Sequence, residues 1–137
     1  MTDDFMPTCP PLHEMTRGLA LVIDDVEVNR ILARAHLEML GWRVDECDSG
    51  IRAIHYLRNA LPQAMLVDIR MPGISGDEFV RHIRDVVGPE VLLVGYTAHS
   101  MQDDIRNFLA CGFDHVLVKP VSLSDMRAVL SRPAIGD

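Results

Sequence analysis

Five short apolar runs, alternating strictly with amphipathic stretches, predict a doubly wound α/β fold built on a five-stranded parallel sheet. Most of the runs are continuously apolar, as strands covered by helices on both faces are. Breakers close the first four amphipathic stretches at Gly41, Pro62, Gly88 and Gly112.

Residues 1–18 carry Pro7, Pro10 and Pro11 without sustained periodicity and are expected to form an extended arm outside the fold. Residues 19–23, Leu-Ala-Leu-Val-Ile, are the first strand. Val28, Ile31, Leu32 and Ala35 then fall at helical spacing and predict a helix that Gly41 ends. Residues 42–45 alternate apolar and polar, the pattern of an edge strand with one wetter face. Ile51, Ile54, Leu57 and Leu61 form the expected buried stripe of a second helix, with Pro62 as its terminator.

Residues 64–67 are a buried strand that ends abruptly on Asp68, and residues 71–76 are a breaker-rich turn. Phe79, Val80, Ile83, Val86 and Val87 line a third helix. Residues 91–94 are the fourth strand and lead to Thr97; Met101, Ile105, Phe108 and Leu109 make the next helical stripe. Residues 116–118 are the fifth strand and lead to Lys119-Pro120. Ser122 and Asp125 read as a capping box for a last helix carrying Leu123, Met126, Val129 and Leu130. One domain over residues 19–132 and a short tail, 133–137, complete the chain. This is the flavodoxin-like form of the doubly wound fold, with strand order 2-1-3-4-5 and right-handed crossovers.

Composition excludes several function classes. Apolar residues make up 48% and charged residues 24% of the 137, the profile of an ordinary globular domain. The net charge is −7 and the basic residues are scattered singly, so direct nucleic-acid binding lacks its electrostatic footprint. Cys9, Cys47 and Cys111 have no CxxC spacing and an odd count, which points to a reducing compartment. Asp3 and Asp4 precede any apolar run, and no stretch approaches the ~20 apolar residues that span a bilayer. The expectation is a cytoplasmic protein without membrane insertion.

Ligands of open parallel sheets bind at the carboxyl ends of the strands. The apolar runs end there in Asp24-Asp25, Asp68, Thr97 and Lys119. Three carboxylates on one rim repel one another unless a cation intervenes. Mg²⁺, which takes a few carboxylates, waters and phosphate oxygens, suits that donor set. Lys119 adds a positive point charge, the Thr97 hydroxyl can donate to a phosphoryl oxygen, and a carboxylate can act as nucleophile to form an aspartyl phosphate. Each residue alone has an ordinary explanation: Asp24-Asp25 as a helix cap, Asp68 as a turn residue, Lys119 as a loop lysine. The conjunction at four strand ends is what points to phosphoryl chemistry.

The sequence resembles the response-regulator receiver family of two-component signalling over about residues 19–132. The carriers are Leu21-Val22-Ile23-Asp24-Asp25, Leu66-Val67-Asp68-Ile69-Arg70-Met71-Pro72, Gly95-Tyr96-Thr97-Ala98 and Val118-Lys119-Pro120. Val28-Asn29-Arg30 and Gly112-Phe113-Asp114-His115 look most like receivers of hybrid histidine kinases. The resemblance implies that Asp68 is the phosphoacceptor and that Asp24, Asp25, Asp68 and the Arg70 backbone carbonyl hold Mg²⁺. It implies phosphoryl contacts from Thr97, Ala98 and Lys119, with Arg70 beside them, and a cis Lys119–Pro120 bond. Arg70 and His99 stand where relatives tune the lifetime of the phosphorylated state.

The implied partner is a histidine kinase or histidine phosphotransfer protein, docking near Val28, Ile31 and Pro120. The chain would serve as a stand-alone regulator, a relay intermediate or a hybrid-kinase module, itself a phosphoacceptor and not an enzyme. No effector domain is expected after the last helix. One departure is Val116, where common receivers carry the aromatic half of a rotamer switch; a muted change at the face of the fourth and fifth strands is expected. Two other classes fit poorly. A haloacid dehalogenase-type phosphatase needs DxD after the first strand, where Asp24 is followed by Asp25 and Val26, and a flavodoxin needs a Ser/Thr/Gly-rich phosphate loop where Val26-Glu27-Val28-Asn29 stands. A pseudo-receiver that only binds partners would not need the complete acidic and basic set.

Overall fold

A computed structural model of the chain describes residues 16–98 and 102–130. Five parallel strands alternate with five helices: β1 (Thr16–Ile23), α1 (Glu27–Met39), β2 (Arg43–Cys47), α2 (Gly50–Tyr56), β3 (Pro62–Asp68), α3 (Gly76–Val87), β4 (Leu92–Thr97), α4 (Gln102–Cys111), β5 (His115–Val118) and α5 (Leu123–Leu130). The sheet order is β2-β1-β3-β4-β5, as the sequence predicts. Successive strands are added to one side of β1 and then to the other, and this switch in order between the parallel β1 and β3 opens a crevice at their carboxyl ends.

Alternation along each strand divides the core in two. Leu21, Ile23, Met65, Val67 and Leu93 face Ala53 of α2 and Phe79, Val80, Ile83 and Val87 of α3. Ala20, Val22, Ala64, Leu66, Val94 and Tyr96 face Ala33 and Leu37 of α1 and Met126 and Leu130 of α5. The runs of β1, β3 and β4 are therefore apolar because these inner strands have a helix layer on both sides, while edge strand β2 alternates. Capping boxes open two helices. Ser75 and Glu78 exchange side-chain and backbone hydrogen bonds at α3, and Ser122 and Asp125 do so at α5.

Several boundaries and faces differ from the sequence expectation. β1 begins at Thr16, so residues 16–18 belong to the sheet and not to an arm; the Gly18 N–H donates to Gln63 Oε1 at 2.9 Å. The rest of the expected arm, with Cys9, lies outside the described residues, as do Met101 and the tail. α2 stops at Tyr56, earlier than Pro62 suggests. Leu57 and Leu61 are buried beyond it, and Pro62 opens β3 opposite Thr16, a position that needs no N–H from it.

The α1 stripe is also turned. Val28, Ile31 and Leu32 are 67%, 56% and 52% exposed, and Ala35 is exposed too, while Ala33 and Leu37 form the contact with the sheet. Two apolar stripes overlap on this helix, and small Ala33 lets the second approach the strands closely. Ile51, Val86 and Leu109 likewise sit at apolar helical positions yet face outward.

The far end of the sheet is tied by one guanidinium. Arg84 donates to the carbonyls of Gly88, Val91 and Gly112 at 3.0, 3.1 and 2.6 Å and to Asp114 Oδ2 at 3.0 Å. The same Asp114 oxygen accepts the Leu93 N–H at 2.8 Å. α3, β4 and the turn before β5 are thus joined through one side chain. Arg84→Ala is expected to cost about 2 kcal/mol, since it strands partly buried carbonyls that now bond a cation. A urea midpoint indistinguishable from wild type would show that water replaces these bonds without loss.

Candidate functional site

The strand register brings the polar rim together. β1 and β3 pair with Ile23 opposite Val67, so Asp24 and Asp68 are neighbours just past the last paired residues. β3 and β4 pair with Asp68 opposite Tyr96, and β4 and β5 pair with Thr97 opposite Val118. Lys119 follows β5 directly, its backbone N–H donating to the Thr97 carbonyl at 2.7 Å. The Lys119–Pro120 peptide is cis.

Asp24 is fully buried and held from several sides. Its Oδ1 accepts the Val26 N–H at 2.9 Å, its Oδ2 accepts the Tyr96 hydroxyl, and its carbonyl accepts from Arg30 at 2.7 Å. Arg30 is steadied in turn by Glu46 of β2 at 3.1 Å. Asp25 is exposed and Asp68 is 3% exposed. Asp68 Oδ1 accepts the Arg70 N–H at 3.1 Å and lies 3.3 Å from Lys119 Nζ, which is 3.6 Å from Asp24 Oδ2. Carboxylate oxygens of Asp24, Asp25 and Asp68 lie within 4.8 Å of one another.

Burial, and secondly the charge of Asp24, push the Asp68 carboxyl up from 3.8 to about 6; Lys119 and the Arg70 N–H act against this without cancelling it. One ammonium does not balance three converging carboxylates. The donor set, all oxygen and partly open to solvent through Asp25, suits a hard divalent cation.

The remaining expected residues are distributed around this centre. Thr97 is buried at the end of β4, and Ala98 and Arg70 are exposed. Val116 lies two residue pairs inside the rim, opposite Gly95, and packs against the core on the α2–α3 side of the sheet. His99 lies outside the described residues. Sequence reasoning missed Tyr96 and Arg30. A phenol inside an otherwise apolar buried run was the available signal for Tyr96, because a buried tyrosine hydroxyl needs a partner.

The chain matches the family model of the response regulator receiver domain over residues 20–131. It belongs to that family. The receiver is 35% identical to the virulence sensor protein BvgS of Bordetella pertussis over 117 residues, 81% of this chain and 10% of that protein. It is 30% identical to the sensor protein EvgS of Escherichia coli over 112 residues, 82% of this chain and 9% of that protein. The receiver thus spans about a tenth of the length of these curated relatives.

Among solved structures, the receiver is similar to the receiver domain of a sensor histidine kinase from Pseudomonas aeruginosa, which carries a magnesium ion coordinated in its active site cleft. That match has a TM-score of 0.74 at 29% identity and covers 85% of this chain and 97% of the other. The chemotaxis protein CheY4 of Vibrio cholerae, at TM-score 0.77 and 23% identity over 85% of this chain and 98% of its own, shares the fold. No helix among the described residues is long and apolar enough to cross a membrane.

Proposed function

We propose that the receiver accepts a phosphoryl group from a phosphohistidine, on a histidine kinase or histidine phosphotransfer protein, onto the Asp68 carboxylate in a Mg²⁺-dependent reaction. The observation that carries this reading is the convergence of the Asp24, Asp25 and Asp68 carboxylates within 4.8 Å, with Lys119 Nζ 3.3 Å from Asp68. Asp24, Asp25, Asp68 and the Arg70 backbone carbonyl would hold Mg²⁺, as in the Pseudomonas relative's cleft a magnesium ion is coordinated. When bound, the ion neutralises the carboxylates and the oxygens of the incoming phosphoryl group.

The chain's own residues supply position and charge. An Asp68 oxygen attacks phosphorus as the phosphorus–nitrogen bond to the imidazole breaks, and the imidazole leaves with that electron pair. At neutral pH most Asp68 is ionised and able to attack, since its carboxyl is raised only to about 6. Lys119 keeps its ammonium beside the nucleophile, the Thr97 hydroxyl donates to a phosphoryl oxygen, and Ala98 leaves the approach unobstructed. Arg70 and His99 tune how readily water reaches the product. Replacing both with alanine is expected to change its decay rate; an unchanged rate would remove that role.

The exposed apolar residues of α1, Val28 and Ile31, with exposed Pro120, which shares a cavity with Asn29 and Leu32 of the same helix, form the surface we assign to the phosphodonor partner. A module of a longer sensor kinase is the setting that the hybrid-sensor relatives favour, with a stand-alone regulator or relay intermediate as the alternatives. The receiver unit then runs from about Thr16 to residue 132, ahead of the tail at 133–137. Intact-protein mass after incubation with Mg²⁺ and a small-molecule phosphodonor tests the reading. A gain of one phosphoryl group that chelation prevents is the expected result, and no gain with any donor would leave a binding module without phosphoacceptor chemistry.

A further inference from the structure

Tyr96 occupies an unusual position for a core residue. It is 3% exposed and packs on the α1–α5 side of the sheet, yet it stands opposite Asp68 in the register and one residue before Thr97. Its hydroxyl donates to Asp24 Oδ2, and Lys119 Nζ lies 4.4 Å from the centre of its ring. One side chain therefore touches both charged groups that flank the proposed phosphoacceptor. It also lines a cavity of about 270 Å³ between α1 and the segment after β5, together with Leu32, Ala33, Pro120 and Val121. On the opposite side of the sheet, Val116 offers no aromatic ring and no hydroxyl.

We infer that Tyr96 is a positioning residue: it holds Asp24 and Lys119 about Asp68 and carries changes in charge at the site to the α1–α5 face instead of the α4–β5 face. The inference rests on the reading that this site takes Mg²⁺ and a phosphoryl group. A cation drawn to Asp24 competes for the oxygen that accepts the Tyr96 hydroxyl. A phosphoryl group drawn to Lys119 pulls the ammonium from the ring. The ring is itself part of the cavity wall, so its displacement reshapes the space that it shares with Ala33 and Val121. The signal then arrives beside the exposed face of α1.

The chain has two tyrosines, which makes a direct test simple. Tyr56 donates to Asp45 Oδ2 of β2 at 2.7 Å and serves as the internal reference. In full-length protein with ¹³C-labelled tyrosine, adding Mg²⁺ and then beryllofluoride is expected to shift the Tyr96 ring carbon that bears oxygen while Tyr56 holds. Amide signals of Ala33 and Val121 should move more than those around Val116. In Tyr96→Phe, which keeps the ring, the amides of Asp25 and Arg70 should still respond while the responses at Ala33 and Val121 are largely lost.

A stationary Tyr96 signal in wild type while Asp25 and Arg70 respond would overturn the inference. So would unchanged responses at Ala33 and Val121 in Tyr96→Phe. If Asp25 and Arg70 do not respond in wild type, the site reading itself fails, a separate outcome. Should Tyr96→Phe not fold, the wild-type ring carbon decides alone.

Discussion

Asp68→Asn is expected to abolish phosphoryl uptake while making the fold more stable in metal-free buffer at pH 7.5. The first effect follows from removing the nucleophilic oxygen, because an amide in the same place does not form the acyl phosphate. The second follows from the cost of burying an ionised carboxylate beside Asp24. The Asp68 carboxyl titrates at about 6 in the folded chain against an ordinary 3.8. Below pH 3.8 the group is protonated in both states, and its contribution to stability is fully present. That contribution is lost as pH rises through about 6, and above it the folded state bears a penalty on the order of 3 kcal/mol.

Asparagine carries no charge at any of these pH values, so the variant removes that dependence. The attraction of Lys119 is already contained in that shift, and solvent reaching the rim through exposed Asp25 screens the repulsion and reduces the gain. A net stabilisation of about 1–2 kcal/mol at pH 7.5 is expected, vanishing near pH 4. Urea melts of both proteins across that range, with intact mass after phosphodonor treatment, provide the measurement. Retained uptake, or a variant no more stable than wild type at pH 7.5, would contradict the assignment. Mg²⁺ should narrow the difference, because it stabilises the wild-type carboxylates by binding the folded state.

Gly76→Ala is expected to be the most damaging single methyl group near the site. Gly76 begins α3, and its N–H donates to the Ile69 carbonyl at 3.0 Å. A Cβ there would lie 2.6 Å from the Asp68 carbonyl oxygen and 2.6 Å from Ile69 Cα, both backbone atoms that cannot rotate away. The start of α3 must retreat from β3, at about 3 kcal/mol by analogy with overpacked cores. The movement also displaces the peptide that carries the proposed phosphoacceptor. Gly73 in the same turn is the control: its φ is +81°, but nothing lies within 4 Å of an added Cβ. Gly73→Ala should cost only about 1 kcal/mol of backbone strain. Equal urea midpoints and equal uptake rates for the two variants would show that α3 shifts freely.

Much of this molecule was legible in the chain, and the failures have a common cause. The five strands, their order and the capping boxes at Ser75 and Ser122 follow from local patterns, of which Ser122 was read directly. The helix faces were less secure. On α1 the stripe through Val28, Ile31 and Leu32 and the stripe through Ala33 and Leu37 are both apolar, and only the sheet selects one. The end of α2 was misplaced because Pro62 was read as a stop signal, when it is the first residue of a strand.

By itself the sequence determined the alternation of strands and helices, and with it the placing of Asp24, Asp25, Asp68, Thr97 and Lys119 at strand ends. In a parallel sheet every strand end of one polarity lies on one rim, so spacing along the chain was enough. Tertiary structure alone decided which of these groups touch. The Tyr96 hydroxyl meets Asp24 across 72 residues, and Lys119 meets Asp68 across 51. Such contacts depend on the register between strands and on which face each side chain takes. A continuously apolar run carries neither, because it looks the same from both sides of the sheet.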